Sequence, residues 1–193
     1  FEVLEKLGAQ IIYFSPIHDR VLPKVDGLIF GGGFPELFLP ELASNLGLIE
    51  EIRDFHQKKK PIWAECGGFL YLCESLTDMK GKAFSLVGLI PATTEMTSKL
   101  QAVGYVKATG LSDSLLLEKG NTVQGHHFHF SKMKALVAPF PWAFSLRGRK
   151  GEIQDGYHQE YLTASYLHIH LLGNPKIGER FLQICKERQE SLV

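Results

Sequence analysis

Apolar and polar positions alternate at helical and strand periods in turn over the first third of the chain, and the pattern then changes. Phe1, Val3, Leu4 and Leu7 recur at helical spacing and stop at Gly8, after which Ala9 to Phe14 predicts a strand. Ser15 to Lys24, carrying Pro16 and Pro23, reads as a loop. Val25 to Phe30 is a second apolar strand that runs into Gly31-Gly32-Gly33-Phe34-Pro35-Glu36. A helix is expected from about Pro35, and another from Leu48 to Lys60 with Ile49, Ile52 and Phe55 on one face. Pro61 to Ala64 predicts a buried strand, and Phe69, Leu70, Leu72, Cys73 and Leu76 give the spacing of a following helix. Strands alternating with helices argue for a parallel sheet covered on both faces.

Beyond Leu76 the period shortens. Ala83 to Ile90, Leu100 to Thr109, Thr122 to Phe130, Pro141 to Arg147 and Tyr161 to Leu172 read as strands separated by Gly, Ser and Asp turns. Strands in series without helices suggest an antiparallel or mixed extension of the same sheet. Asn174 suits an N-cap and Pro175 a first helical position, so Ile177 to Arg188 predicts a closing helix that carries Cys185. With no repeat, low-complexity tract or linker, residues 1–193 read as one α/β domain.

Composition narrows the partners. Lys plus Arg and Asp plus Glu are 21 each, so zero net charge implies no long-range attraction to nucleic acid or an anionic membrane. No apolar run reaches the ~20 residues of a membrane helix, and the start does not resemble a signal peptide. Three cysteines, Cys66, Cys73 and Cys185, are too few for a disulfide framework, so a reducing cytoplasmic setting is expected. The chain opens on Phe1 inside a helical pattern, which leads us to expect a piece of a longer polypeptide.

Candidate chemistry centres on Pro61-Ile62-Trp63-Ala64-Glu65-Cys66-Gly67-Gly68-Phe69. Cys66 falls on the expected strand-to-helix turn, where small neighbours permit a strained backbone and the side chain is lifted clear of the sheet. The unpartnered first amides of a helix would favour a thiolate there. The competing reading is a small buried hydrophobe, the usual fate of a free cysteine. Gly31-Gly32-Gly33 lacks the third glycine of a dinucleotide fingerprint and any Gly-Lys-Ser/Thr, so a phosphate site is not indicated. At the carboxyl end of a strand, its amides could join that of Gly67 in an oxyanion hole, or simply form a turn. Strand alternation puts His127 with His129 on one face, and His168 with His170 on one face. Such pairs could hold zinc, but both stretches lack acids, and no metal site is assigned. Alternatively, one imidazole serves Cys66 as general base.

Four ordered motifs, Val25 to Glu36, Ala64 to Leu72, Gly125-His126-His127-Phe128-His129-Phe130-Ser131 and Ala164-Ser165-Tyr166-Leu167-His168-Ile169-His170, resemble the glutamine amidotransferase domain of the cobyrinic acid a,c-diamide synthases. The resemblance implies a class I amidotransferase-like (flavodoxin-like) fold, mostly parallel with an antiparallel extension. It implies Cys66 as nucleophile on glutamine, His168 as its proton relay, and Gly67 with Gly32 or Gly33 as oxyanion donors. Ammonia would pass to an ATP- and magnesium-dependent synthetase domain that amidates the a and c carboxylates of a corrinoid. That domain, with its phosphate loop, and the strand before Phe1 are expected outside this chain, which would itself bind no cofactor. A cobyric acid synthase relative, a nickel-tetrapyrrole amidase and a non-catalytic docking module of the same fold are the alternatives. The chain departs from the family pattern at His127, where an acid is expected, and at Phe130, where a tyrosine is expected. His170 stands where many class I enzymes carry the triad glutamate, so no third member is assigned by motif.

Overall fold

The computed structural model describes residues 1–148 and 151–191. In chain order these form α1 (Glu2–Lys6), β1 (Leu28–Phe30), a 3-10 turn (Pro35–Leu37), α2 (Leu39–Ser44), α3 (Leu46–Gln57), β2 (Ile62–Glu65) and α4 (Gly67–Leu72). There follow β3 (Cys73–Thr77), β4 (Ala83–Ser85), β5 (Ile90–Met96), β6 (Ala102–Gly110), β7 (Thr122–His129), β8 (Ser131–Ala135) and β9 (Phe144–Gly148). The chain closes with β10 (Gly151–Asp155), β11 (Tyr157–Gln159), β12 (Leu162–Ser165), β13 (Leu167–His168) and α5 (Pro175–Ser191).

The strands make three sheets, ordered β1-β2-β12-β11, β10-β9-β6-β7-β13 and β4-β3-β5-β8. In the first, β2 pairs parallel with both β1 and β12. Its side chains alternate as the pleat requires. Ile62 and Ala64 join the core with Leu48, Ile49, Ile52 and Phe55 of α3, while Trp63 joins the opposite core with Phe181 and Cys185 of α5. Helices therefore cover both faces of this parallel sheet, and the α/β expectation holds. The parallel part is small, and the later strands do not extend the same sheet as the sequence suggests: β6, β7, β9, β10 and β13 form a sheet of their own and pair only antiparallel.

Four expected elements differ. Ala83 to Ile90 is not one strand: β4 ends at Ser85 and β5 begins at Ile90, while the Val87, Gly88 and Leu89 amides between them bond the end of α4 and the start of β3. Ala9 to Phe14 is not a strand. With Val25 to Ile29 it lines a cavity of about 540 Å³, so the two backbones stand apart where paired strands would lie about 4.8 Å from each other. The helix after Cys66 ends at Leu72, and Cys73 and Leu76 lie on β3. The amides of Val87, Leu89 and Gly88 bond the carbonyls of Tyr71, Leu72 and Cys73, which occupies acceptors a longer helix would use. A register shift between Cys73 and Ser75 then yields on a strand the three-residue apolar spacing that mimics a helix. Finally, Tyr161 to Leu172 is not one strand. β12 ends at Ser165, and two residues later β13 pairs with β7 of another sheet. The buried carboxyl of Asp155 lies at this switch, and burial raises its pKa to about 7 against the pull of the Tyr166, Gly156 and Leu167 amides.

Candidate active site

Cys66 joins β2 to α4 with φ 47° and ψ −104°, a region that a residue bearing Cβ occupies only where its surroundings hold it. Here the surroundings are specific. The Cys66 amide donates to the Ser165 carbonyl at 2.8 Å, and its carbonyl accepts from the Leu70 amide at 3.0 Å. Ala64 is fully buried beneath the turn. The Gly68 amide donates to the Gly31 carbonyl at 3.1 Å, tying the elbow to the glycine run that follows β1.

Gly67 and Gly68 are glycines because of that approach. A Cβ on Gly67 would lie 2.6 Å from the Gly33 carbonyl oxygen, and one on Gly68 would lie 2.5 Å from both Cβ and the carbonyl oxygen of Phe30. Backbone leaves no room to yield, so Gly68→Ala should cost about 3 kcal/mol and lower the melting temperature by roughly 6–12 °C. Thermal unfolding checks this, and a midpoint within about 2 °C of wild type would contradict the tight approach.

The glycine run carries the second half of the site. A Cβ on Gly32 would sit 2.6 Å from Cε1 of His168 and 3.7 Å from Cβ of Cys66, so both side chains converge on this one glycine. Gly33 lies against Gly67, whose own amide is the first of α4 and has no acceptor within the helix. Cys66, His168, Gly32, Gly33 and Gly67 are thus brought together. The run is folded against the elbow and the imidazole.

His170 is elsewhere. β13 ends at His168, and the next amide, of Ile169, donates to Oε1 of Glu65 at 3.1 Å. His170 is exposed and accepts at its carbonyl from the Asn174 side chain at 3.1 Å. The expectation that His168 and His170 share a strand face is corrected: the strand is too short to hold both.

The other histidines have different work. His127 and His129 do lie on one face, ring centroids 4.7 Å apart, and His129 stacks on Tyr166 at 3.7 Å. His129 Nδ1 is 2.8 Å from the Ser131 carbonyl, and the Ser131 hydroxyl meets the Tyr166 hydroxyl at 2.9 Å. Burial, then His129, His168 and His126, pushes His127 down to about 4. His126 takes the opposite face, edge-on to Tyr105 and stacked with Phe128, and pairs across the sheet with His168. These imidazoles are spent on packing and on backbone carbonyls.

Electrostatics correct one expectation. Burial pushes the Cys66 thiol up to about 11; the Gly67 amide opposes this, while Glu36, Glu65 and Asp155 add to it. The site holds a thiol, not a preformed thiolate. Its Sγ lies 3.6 Å from the Phe128 carbonyl, the contact of a donating S–H. A six-residue helix with carboxylates nearby does not outweigh desolvation. Alkylation of Cys66 by a small haloacetamide should therefore climb steadily from pH 7 toward pH 10, as the thiolate fraction rises toward that value. A rate already flat at neutral pH would contradict it. Cys66 should still react well ahead of Cys73 and Cys185, which are buried, the latter with a thiol pushed up to about 12. Peptide mapping after limited labelling checks the order.

Sequence reasoning missed Glu65. It precedes Cys66 on β2, and Oε2 lies 3.8 Å from Nδ1 of His168. Burial raises its pKa to about 7, against the opposing pull of the Ile169 amide. Alternation on β2 was the available signal, since it sends Glu65 and Ala64 to opposite faces.

Residues 1–176 match the family described as the CobB/CobQ-like glutamine amidotransferase domain. Among curated relatives, the cobyrinate a,c-diamide synthase of Leptospira interrogans is 40% identical over 185 residues, covering 94% of this chain and 41% of the relative. That of Synechococcus sp. is 41% identical over 191 residues, covering 97% and 41%. The chain thus spans about two fifths of the length of the curated relatives it matches. The fold is also that of a solved glutamine amidotransferase, with TM-score 0.67 and 18% identity over 96% of this chain and 91% of that one. PurLQS from Thermotoga maritima is similar at TM-score 0.66 and 18% identity, covering 96% and 89%. With a matching family description over most of its length and relatives about 40% identical, the chain belongs to the CobB/CobQ-like glutamine amidotransferase domain family.

Proposed function

We propose that this chain is the glutamine-hydrolysing part of a cobyrinate a,c-diamide synthase. The observation that carries the chemistry is the convergence of Cys66 and His168 on Gly32, beside the amides of Gly33 and Gly67. The cobyrinate assignment rests on the relatives about 40% identical that bear that name.

In this reading His168 takes the Cys66 proton as the sulfur attacks the side-chain amide carbon of glutamine. The raised thiol pKa makes that base necessary, because little thiolate exists beforehand. The oxyanion is met by the Gly67 amide and an amide of Gly32 or Gly33; one such donor is worth about 10²–10³ in rate. The proton returns from His168 to the leaving nitrogen, ammonia departs and a glutamyl thioester remains. Water, deprotonated by His168, then attacks the thioester, releasing glutamate and restoring the thiol. Carboxylate activation by ATP and magnesium, and corrinoid binding, belong to a synthetase partner within the longer protein. A cytoplasmic location follows from the chemistry of free thiols and ATP.

The test is glutamine hydrolysis and a,c-diamide formation by the full-length enzyme, against the 193-residue chain alone. The full-length enzyme should couple glutamate release to cobyrinate amidation. The isolated chain should hydrolyse glutamine slowly and form no diamide, with turnover rising when the synthetase domain is added in trans. ATP-dependent amidation by the isolated chain would overturn this division of labour, and a full-length enzyme that amidates from ammonium salt but never from glutamine would overturn the role of this domain.

A further inference from the structure

The site described above has a nucleophile, a base and oxyanion donors, but no group yet assigned to hold the base in its working tautomer. We propose that Glu65 is the positioning residue for His168, a triad acid supplied from the residue immediately before the nucleophile. This rests on the amidotransferase reading above and deepens it.

Glu65 holds the His168 segment at two points. Its Oε1 accepts from the Ile169 amide at 3.1 Å, fixing the backbone directly after the imidazole. Its Oε2 lies 3.8 Å from Nδ1, an ion-pair separation slightly longer than a hydrogen bond, as catalytic contacts often are without substrate. A carboxylate at Nδ1 accepts Nδ1–H and leaves Nε2 unprotonated, the nitrogen free to take a proton from sulfur. The ionisable groups facing His168 are Glu65 from β2, Cys66 from the elbow, and His126 and His127 from β7. Among these Glu65 alone accepts a proton at Nδ1 as an anion, and it is nearly buried, so solvent does not dilute the contact. Burial also draws the two groups together in basicity, raising Glu65 toward 7 and lowering His168 from its ordinary value.

His170 stands at the usual place of a triad acid, two residues after the base, and it is exposed beyond the end of β13. β2 and β12 run parallel in register, with Glu65 opposite Ser165. A carboxylate on β2 therefore reaches the backbone directly after His168, at the Ile169 amide.

The test is Glu65→Gln in the full-length enzyme. Glutamine keeps an oxygen for the Ile169 amide but turns its NH₂ toward Nδ1, which favours the wrong tautomer. We expect kcat for glutamine hydrolysis to fall about 10³–10⁴-fold, with KM and melting temperature close to wild type. Nitrogen-15 spectra of histidine-labelled protein, with His168 assigned by its loss in His168→Asn, give a readout independent of turnover. Wild type should show His168 protonated at Nδ1, and Glu65→Gln should move the proton to Nε2. A wild-type enzyme without glutaminase activity would sink the amidotransferase reading, and the spectra would still judge Glu65. An unchanged tautomer in Glu65→Gln, or wild-type rates with it, would overturn the positioning role while leaving Cys66 and His168 in place.

Discussion

Cys66→Ser should lower glutamine-dependent amidation by the full-length enzyme by about 10⁴-fold or more, while amidation from added ammonium salt stays close to wild type. Of the three cysteines, Cys66 alone has the lifted backbone at φ 47° and packs beside Gly32, so no other thiol can substitute for it. The raised thiol pKa makes the substitution harsher, because the base must remove a proton that serine holds more tightly still. Serine is nearly isosteric, so the fold and the route from ammonia to acceptor are kept. Both donors are assayed on one preparation. Equal loss of glutamine- and ammonia-dependent activity would place Cys66 in the fold rather than in hydrolysis, and full glutamine turnover would remove it from the chemistry.

His168→Asn is expected to reduce glutamine hydrolysis at least about 10³-fold, and His170→Asn less than about 3-fold. The contrast follows from placement, with one ring packed beside Cys66 on Gly32 and the other exposed past the strand end. The pH dependence carries a sign. Burial, then His126, lowers the His168 pKa, so its neutral, base-competent form persists to lower pH than that of a free imidazole. Glutaminase kcat/KM in wild type should accordingly lose activity on the acid side with a midpoint below about 6.5. A midpoint above that value would show that the Glu65 carboxylate, not burial, sets the basicity of His168. Loss of activity in His170→Asn with retention in His168→Asn would reverse the assignment.

Most of the site was legible because its residues are local in sequence. Ala64 to Gly68 announces a tight turn through residue size alone, and the glycine run declares close approach of backbone. The base was legible through resemblance, since alternation left both His168 and His170 open. What stayed hidden depends on partners distant in the chain. A bulge makes Cys73 and Leu76 look helical, and no local property of the segment records the bulge. Ala9 to Phe14 has the composition of a strand, but a strand exists only where another edge meets it. The break at Tyr166 turns on hydrogen bonds that its amide and that of Leu167 donate to a carboxyl eleven positions earlier than Tyr166, at Asp155. Thiol basicity was misjudged for a similar reason, because Glu36, Glu65 and Asp155 reach Cys66 from three separate segments.

β7 touches both reacting side chains at once. Its Phe128 carbonyl faces the Cys66 sulfur, and its His126 pairs with His168 on the adjoining strand. Tyr105 of β6, His126 and Phe128 of β7 and Phe130 just past its end form a ladder, with centroids 5.4 to 6.3 Å from one to the next. One strand thus holds a contact with each of two residues that lie far apart in sequence, so the spacing between Cys66 and His168 is set by the backbone of β7 from Phe128 back to His126.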